Sequence, residues 1–440
     1  MSSKPDSRRD GWMLTDRLVS GGVQRWRFVF PAIRDDTRDR CCIFIEYYAC
    51  TEPAWRSRQR KSAAAEANQA NRTADQRTTG QTSEKRASDQ ADSTAVNKSD
   101  HTTGDKTGNK AGDRAGKRTE GTTIRPAYFA VHAGIWGSGA VQYTHVFDEG
   151  EAEITQGPPF TAKAGECLFT EFETYGSIPG EDDPARQVYN GAESYFDLAD
   201  DTAIEWDIEF DKKVSYNAGA STSPFSRKIH ASDAYWHAEG LVTEYTGTII
   251  IGDVSYRTFP DAGSGYADVT WGSGFPSPGL WLWTTDLADS SGLPRTGDVL
   301  AVWGGNIRMN VPSGPDEKFF GALLNGKHRY DFNSMKPALT GSTSLKTEET
   351  DDAWAWHLIL SGEKAMIDAR ITCPKSSMIR DELPSPLNRL QTYQRFTGTD
   401  GEGKILLCVR SGLFGSYEKR DEIVARNIVC AYGCFRHKAG

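Results

Sequence analysis

The residues most able to do chemistry gather between positions 235 and 286, where Tyr266, Asp268, Trp271, Phe275, Trp281 and Trp283 set one carboxyl among aromatic rings. A carboxyl in an apolar site is disfavoured as its anion, so it can stay protonated and serve as an acid at neutral pH. Aromatic faces stabilise a nearby cation by about 0.5 to 2 kcal/mol each. Asp268 is therefore the first candidate catalytic acid; its alternative role is a turn cap on the Thr270 amide. Glu46, within Ile43-Phe44-Ile45-Glu46-Tyr47-Tyr48, is a second candidate and is also readable as an outward strand residue, and Glu244 is a third.

Nine residues form the candidate substrate-binding set: Trp12, Trp236, His237, Tyr266, Trp271, Phe275, Trp281, Trp283 and Trp303. The chain has 12 tryptophans, and several of them fall in or beside this segment as an aromatic wall. Tryptophans also serve simply to pack one sheet on another. His237 could position a hydroxyl, as could His357, although a histidine in a strand is commonly structural. No HExxH, Walker loop, GxSxG, or GxGxxG after a strand occurs, so metalloprotease, nucleotide and serine hydrolase chemistries lack support. No cofactor and no metal is expected. The eight cysteines have no CxxC or zinc-like spacing and read as reduced, buried small hydrophobes.

The elements that position these residues have the period of strands. Ile204, Trp206, Ile208 and Phe210 alternate with Glu205, Asp207 and Glu209, and Trp354, Trp356, Leu358 and Leu360 alternate with Ala355, His357 and Ile359. Trp26, Phe28 and Phe30 share a face in the same way, as do Trp281 and Trp283. Glycine-bearing turns separate such runs, and helical periodicity is nearly absent. An all-β fold follows, with many short antiparallel strands in a sandwich or one or more barrels, arranged as two β halves.

Residues 56–125 break this pattern. Val96 is the only large aliphatic residue between Arg56 and Thr123, so the segment is expected to be a disordered low-complexity insert. It holds 15 basic and nine acidic side chains, diluted rather than clustered, which reads as a solvated linker more than a tether. The expected organisation is 1–55 as the start of an N-terminal β half, 56–125 as the insert, 126–230 as the rest of that half, and 231–440 as a C-terminal β half. With 60 acidic against 51 basic residues the chain carries −9, which argues against nucleic acid as a partner. No integral membrane segment and no signal-like stretch is apparent, so a cytoplasmic location is expected, and peripheral membrane contact stays compatible with the sequence. Oligomeric state is not legible.

Gly265, Tyr266, Asp268, Trp271, Gly272, Phe275, Pro276, Trp281 and Trp283 match a GY-x-E-x-(N/D)-WG-x-x-FP-x-x-W-x-W pattern, with four residues instead of two between Pro276 and Trp281, and the segment resembles the tocopherol cyclase-like family. Gly11-Trp12 and Phe28-Val29-Phe30-Pro31 echo it nearer the start. Asp268 stands where that pattern has Glu, and Thr270 where it has Asn or Asp. The resemblance implies a calycin-related fold akin to carotenoid 1,2-hydratase-type proteins. It also implies an intramolecular cyclase, of the isomerase or intramolecular lyase class, that cyclises or hydrates a lipophilic prenylated or polyene substrate by acid catalysis. The alternative is a non-catalytic lipocalin-like binder of an apolar small molecule.

Overall fold

In a computed structural model, strand alternation becomes two antiparallel sheets, each with one face turned to its own apolar core and part of the other toward its partner sheet. The structure describes residues 13, 22–51, 122–137, 139–147, 150–157, 159–179, 203–217, 231–309, 317–334, 343–384, 391–411 and 416–437. Most of the expected insert lies outside them, and of its last residues Thr122–Ile124 form a short strand. No α-helix occurs among the described residues.

The first sheet opens with β1 (Val23–Arg34), β2 (Arg40–Cys50), β3 (Thr122–Ile124), β4 (Tyr128–Trp136) and β5 (Val141–Phe147). Four short strands follow, β6 (Ala152–Gln156), β7 (Thr161–Ala164), β8 (Cys167–Thr170) and β9 (Glu173–Ile178). It ends with β10 (Ile204–Asn217), β11 (Ala234–Ile251), β12 (Val254–Thr258) and β13 (Gly265–Gly272). These strands are ordered β3-β6-β7-β8-β9-β10-β11-β12-β1-β2-β4-β5, and β13 also pairs with both β1 and β11.

The second sheet begins with β14 (Gly279–Thr284), β15 (Asp286–Asp289), β16 (Val299–Asn306), β17 (Glu317–Asn325), β18 (His328–Asn333) and β19 (Ser344–Glu349). It continues through β20 (Ala353–Ser361), β21 (Ala365–Pro374), β22 (Met378–Pro384), β23 (Gln391–Arg410) and β24 (Tyr417–His437). Its order is β18-β17-β16-β14-β24-β23-β21-β20-β19, with β15 on β24 and β22 on β23. The change of sheet thus falls between Gly272 and Gly279, later than the 230/231 division expected from the sequence. Strands β11 to β13 cannot leave the first sheet because β13 is held in register by β1 on one side and β11 on the other.

Each sheet encloses a core. Trp26, Phe28, Phe30, Tyr47, Trp206, Ile208, Phe210 and Trp271 fill the first, and Leu282, Phe319, Trp356, Leu358 and Ile405 fill the second. The expected apolar faces of β10 and β20 are buried as their alternation required. A third cluster lies between the sheets and joins Val29, Phe44, Trp136, Trp236 and Tyr266 of the first to Trp281, Trp283, Trp303 and Phe320 of the second. Both sheets belong to one compact unit, residues 1–53 with 121–440. None of the eight cysteines, all among the described residues, is joined in a disulfide. No helix of the described residues is long and apolar enough to cross a membrane.

Candidate functional site

The layer between the sheets carries charge as well as apolar surface. On β1 the side chains alternate, so Trp26 and Phe28 enter the first core while Arg25 and Arg27 face the other way. Register then builds two rows across the sheet. One runs Asp268, Arg27, Glu46 and His132 through β13, β1, β2 and β4, and the next runs Trp236, Thr270, Arg25 and Tyr48 through β11, β13, β1 and β2. All eight side chains are buried.

Asp268 accepts from four donors. Arg27 Nε is 3.2 Å from Oδ1. Oδ2 takes Arg27 Nη2, the Tyr266 hydroxyl at 2.9 Å and the Trp236 indole N–H at 3.0 Å. The position expected to cap a turn is therefore mid-strand, and its partners are side chains from three strands. Arg27 lies over the Trp281 ring at 3.4 Å, which brings this pair against the second sheet. Burial and the neighbouring Arg25 pull the Arg27 guanidinium below its ordinary value, with Asp268 opposing them. Burial, reinforced by the Asp268 charge, holds the Tyr266 phenol well above its ordinary value, so it stays protonated.

Glu46 is tied across the sheets. Arg395 of β23 grips it bidentately, Nη1 to Oε1 at 2.8 Å and Nη2 to Oε2 at 2.6 Å, and also contacts Asp381 through Nε at 3.0 Å. The Tyr48 hydroxyl donates to Oε2 at 2.6 Å, and His132 Nδ1 lies 3.4 Å from the same oxygen. Burial alone would raise the Glu46 carboxyl, but Arg395, with His132 and Arg25, outweighs it and holds the group well below the usual carboxylate range. Glu46 is a fixed negative charge here.

No protein-family model matches the chain, and no curated protein matches it. Among solved structures it is similar to kievitone hydratase from Nectria haematococca, with a TM-score of 0.41 and 9% identity over 99% of this chain and 94% of that one. It is also similar to a protein assigned as AttH from Nitrosomonas europaea, with a TM-score of 0.33 and 10% identity over 93% of this chain and 91% of that one.

The structure brings Asp268, Glu46, Trp236, Tyr266, Trp281, Trp283 and Trp303 into the layer between the sheets. Phe275 joins its edge, half-buried beside Tyr393 at 5.1 Å. Trp271 is on the opposite face of β13, stacked on Tyr235 at 5.5 Å in the first core, and His237 shares the parity of Tyr235 on β11. Glu244 lies apart, in a solvent-facing ion pair with Lys213 at 3.0 Å. Trp12 is outside the described residues. Sequence reasoning missed Arg25, Arg27, His132, Trp136, Asp381 and Arg395. Two arginines alternating with Trp26 and Phe28, in a strand buried on both faces, were the available signal. A cleft of about 380 Å³ lined by Tyr175, Glu205, Asp207, Thr248 and Ile250 lies on the outer face of β9 to β11 and includes none of the cluster residues.

Proposed function

We propose that the layer between the sheets binds a lipophilic, polyene-bearing small molecule and cyclises or hydrates one of its double bonds through a cationic transition state. The observation that carries this reading is the juxtaposition of buried carboxylates with aromatic faces. Asp268 touches both Tyr266 and Trp236, and Trp281 lies 5.2 Å from Tyr266 and 6.4 Å from Trp136. Negative charge and ring faces together favour a developing carbocation more than either alone. The resemblance carried by Gly265 to Trp283 points the same way, toward a tocopherol cyclase-like reaction.

Asp268 is the proposed acid in this reading. Three donors converge on its Oδ2, whereas Oδ1 accepts only from Arg27 Nε, so Oδ1 is the oxygen with room for the proton. That proton passes to an alkene carbon, a C–H bond forms, and the resulting cation is captured by a substrate hydroxyl or by water. The captured oxygen loses its own proton, which restores Asp268 through water. Net proton count is unchanged.

The second reading is a non-catalytic binder. It is favoured by the engagement of Glu46 and Asp268 by guanidinium groups, since buried ion pairs can serve only to fix how two sheets meet. The test uses a geranylgeranyl-substituted hydroquinone in heavy water. Conversion to a cyclised isomer bearing one deuterium on carbon, lost in Asp268→Asn, is the expected result. Saturable quenching of tryptophan fluorescence with no conversion would favour the binder.

A further inference from the structure

Arg25, Arg27 and Arg395 lie between the sheets, and they are not equally paired. Arg27 and Arg395 each hold a carboxylate through two nitrogens. Arg25 does not. Its Nη2 donates to the Thr270 hydroxyl at 3.1 Å, its nearest carboxylate oxygen is Glu46 Oε1 at 3.9 Å, and its Nε has no hydrogen-bond partner. Yet Arg25 is 5% exposed. A guanidinium carries five donors, and a buried one that uses so few is costly unless something else accepts from it.

Its surroundings say what that partner is. Phe275 lies 5.6 Å under the Arg25 guanidinium. Tyr48 and Tyr393 belong to the same small aromatic cluster, and Phe275 and Phe435, both half-buried, close it toward solvent. From there the layer runs inward past the Arg27–Asp268 pair and Trp281 to the rings of Tyr266, Trp283 and Trp303. The order along β1 is the same: Arg25, then Arg27, then Val29. An amphipathic molecule matches this order with its head at the Arg25 end and its chain toward the tryptophans.

The geometry points to Arg25 as the head-group receptor of the site, selecting lipophilic acids over the corresponding neutral molecules. This rests on the proposed ligand site between the sheets and adds the chemical class of what it takes. A carboxylate, or another acidic oxygen, would accept from Nε and from the second N–H of Nη2, the edge by which Arg27 holds Asp268, while Nη2 keeps its bond to Thr270. Glu46, held by Arg395, is not free to swing over and fill that role.

All-trans-retinoic acid and retinol share one polyene and differ in the head, which makes them suitable probes. Titrated against the full chain with tryptophan fluorescence as readout, the acid is expected to bind about tenfold or more tightly than the alcohol at pH 7.5, the range of one charge-assisted hydrogen bond. Arg25→Gln should remove most of that preference by weakening the acid far more than the alcohol, and Arg25→Lys should restore part of it. Equal affinity of the two retinoids for the unmodified chain overturns the assignment without recourse to any variant, as does a preference that survives Arg25→Gln. Absence of quenching by either probe overturns the ligand site itself. Failure to turn over a prenylated hydroquinone that carries a carboxymethyl group on its ring, while the acid preference stands, would remove the proposed reaction and leave Arg25 in place.

Discussion

Strand β1 presents two surfaces that obey different rules. Its inner face sends Trp26, Phe28 and Phe30 into an aromatic core, where Phe28 lies 5.0 Å from Phe210 and 5.9 Å from Phe169. Its outer face sends Arg25 and Arg27 into a layer just as dry. Burial of the first kind is favourable in proportion to the apolar area removed from water. Burial of the second kind is unfavourable unless every charge is paired, and even then an apolar replacement is often as stable. Charges maintained in one interface beside an apolar core either serve chemistry, as proposed above, or fix how the two sheets meet.

The largest effect that would test this contrast is removal of the guanidinium that joins the sheets. Arg395→Ala leaves Glu46 and Asp381 buried without their shared partner, so a loss of about 3–5 kcal/mol is expected by urea denaturation. Phe28→Ala, in the core, should cost a similar 3–5 kcal/mol or so through its cavity. The two differ in how pH acts. Acidification should narrow the deficit of Arg395→Ala, because protonation neutralises the stranded carboxylates, and should leave that of Phe28→Ala unchanged. Equal pH behaviour in both would erase the distinction between the two surfaces.

Next in size is the chemistry. Asp268→Asn retains acceptor capacity toward Tyr266 and Trp236 but carries no acidic proton, so turnover should fall by roughly 10²- to 10⁴-fold with little change in ligand affinity. Unchanged turnover per folded molecule would return Asp268 to a purely structural pairing with Arg27.

Much of this architecture was legible in the sequence, and the limits of that legibility are physical. Alternation in β10 and β20 fixed which side chains entered a core, because a period of two admits no other face. Trp281 and Trp283 share a surface for the same reason. Alternation is silent, however, about what the other face meets. Glu46 reads as an outward residue, and it is outward from its own core, but the outside of the first sheet is covered by the second. Its partner Arg395 is 349 residues away, a separation that no local pattern reports. Trp271 reads together with Trp281 in the sequence, although on β13 it stands an odd offset from Tyr266 and Thr270 and so turns to the other face. The change of sheet inside the most distinctive segment, between Gly272 and Gly279, hid that difference.

A smaller effect follows from Glu46 itself. Its folded-state carboxyl is held below the unfolded value of about 4.3, so in acid the unfolded chain binds more protons and stability rises with pH. The contribution is complete above the unfolded value and is lost as pH falls toward the folded one. Glu46→Gln should therefore be less stable at neutral pH and show a shallower loss between about pH 5 and pH 2. Chemical denaturation across that range is the measurement, and an unchanged acid limb would mean that other carboxylates set it.

The smallest expected change separates a ligand wall from packing within the layer. Trp283 donates its indole N–H to the Leu241 carbonyl at 3.0 Å and packs on Tyr266 at 5.6 Å, so it has a structural duty of its own. Trp281 has its ring under Arg27 and beside Trp136, which puts it nearer the charged rows. Trp283→Phe should lose one hydrogen bond, about 1 kcal/mol of stability, with ligand-induced quenching largely intact. Trp281→Phe should cost less stability and remove more of the quenching, since the cation–π contact with Arg27 weakens while the ring that faces the ligand is lost. If both variants quench as the parent does, these tryptophans only pack one sheet on the other, and the charged rows beneath them would have to be explained as a device that fixes how the sheets meet.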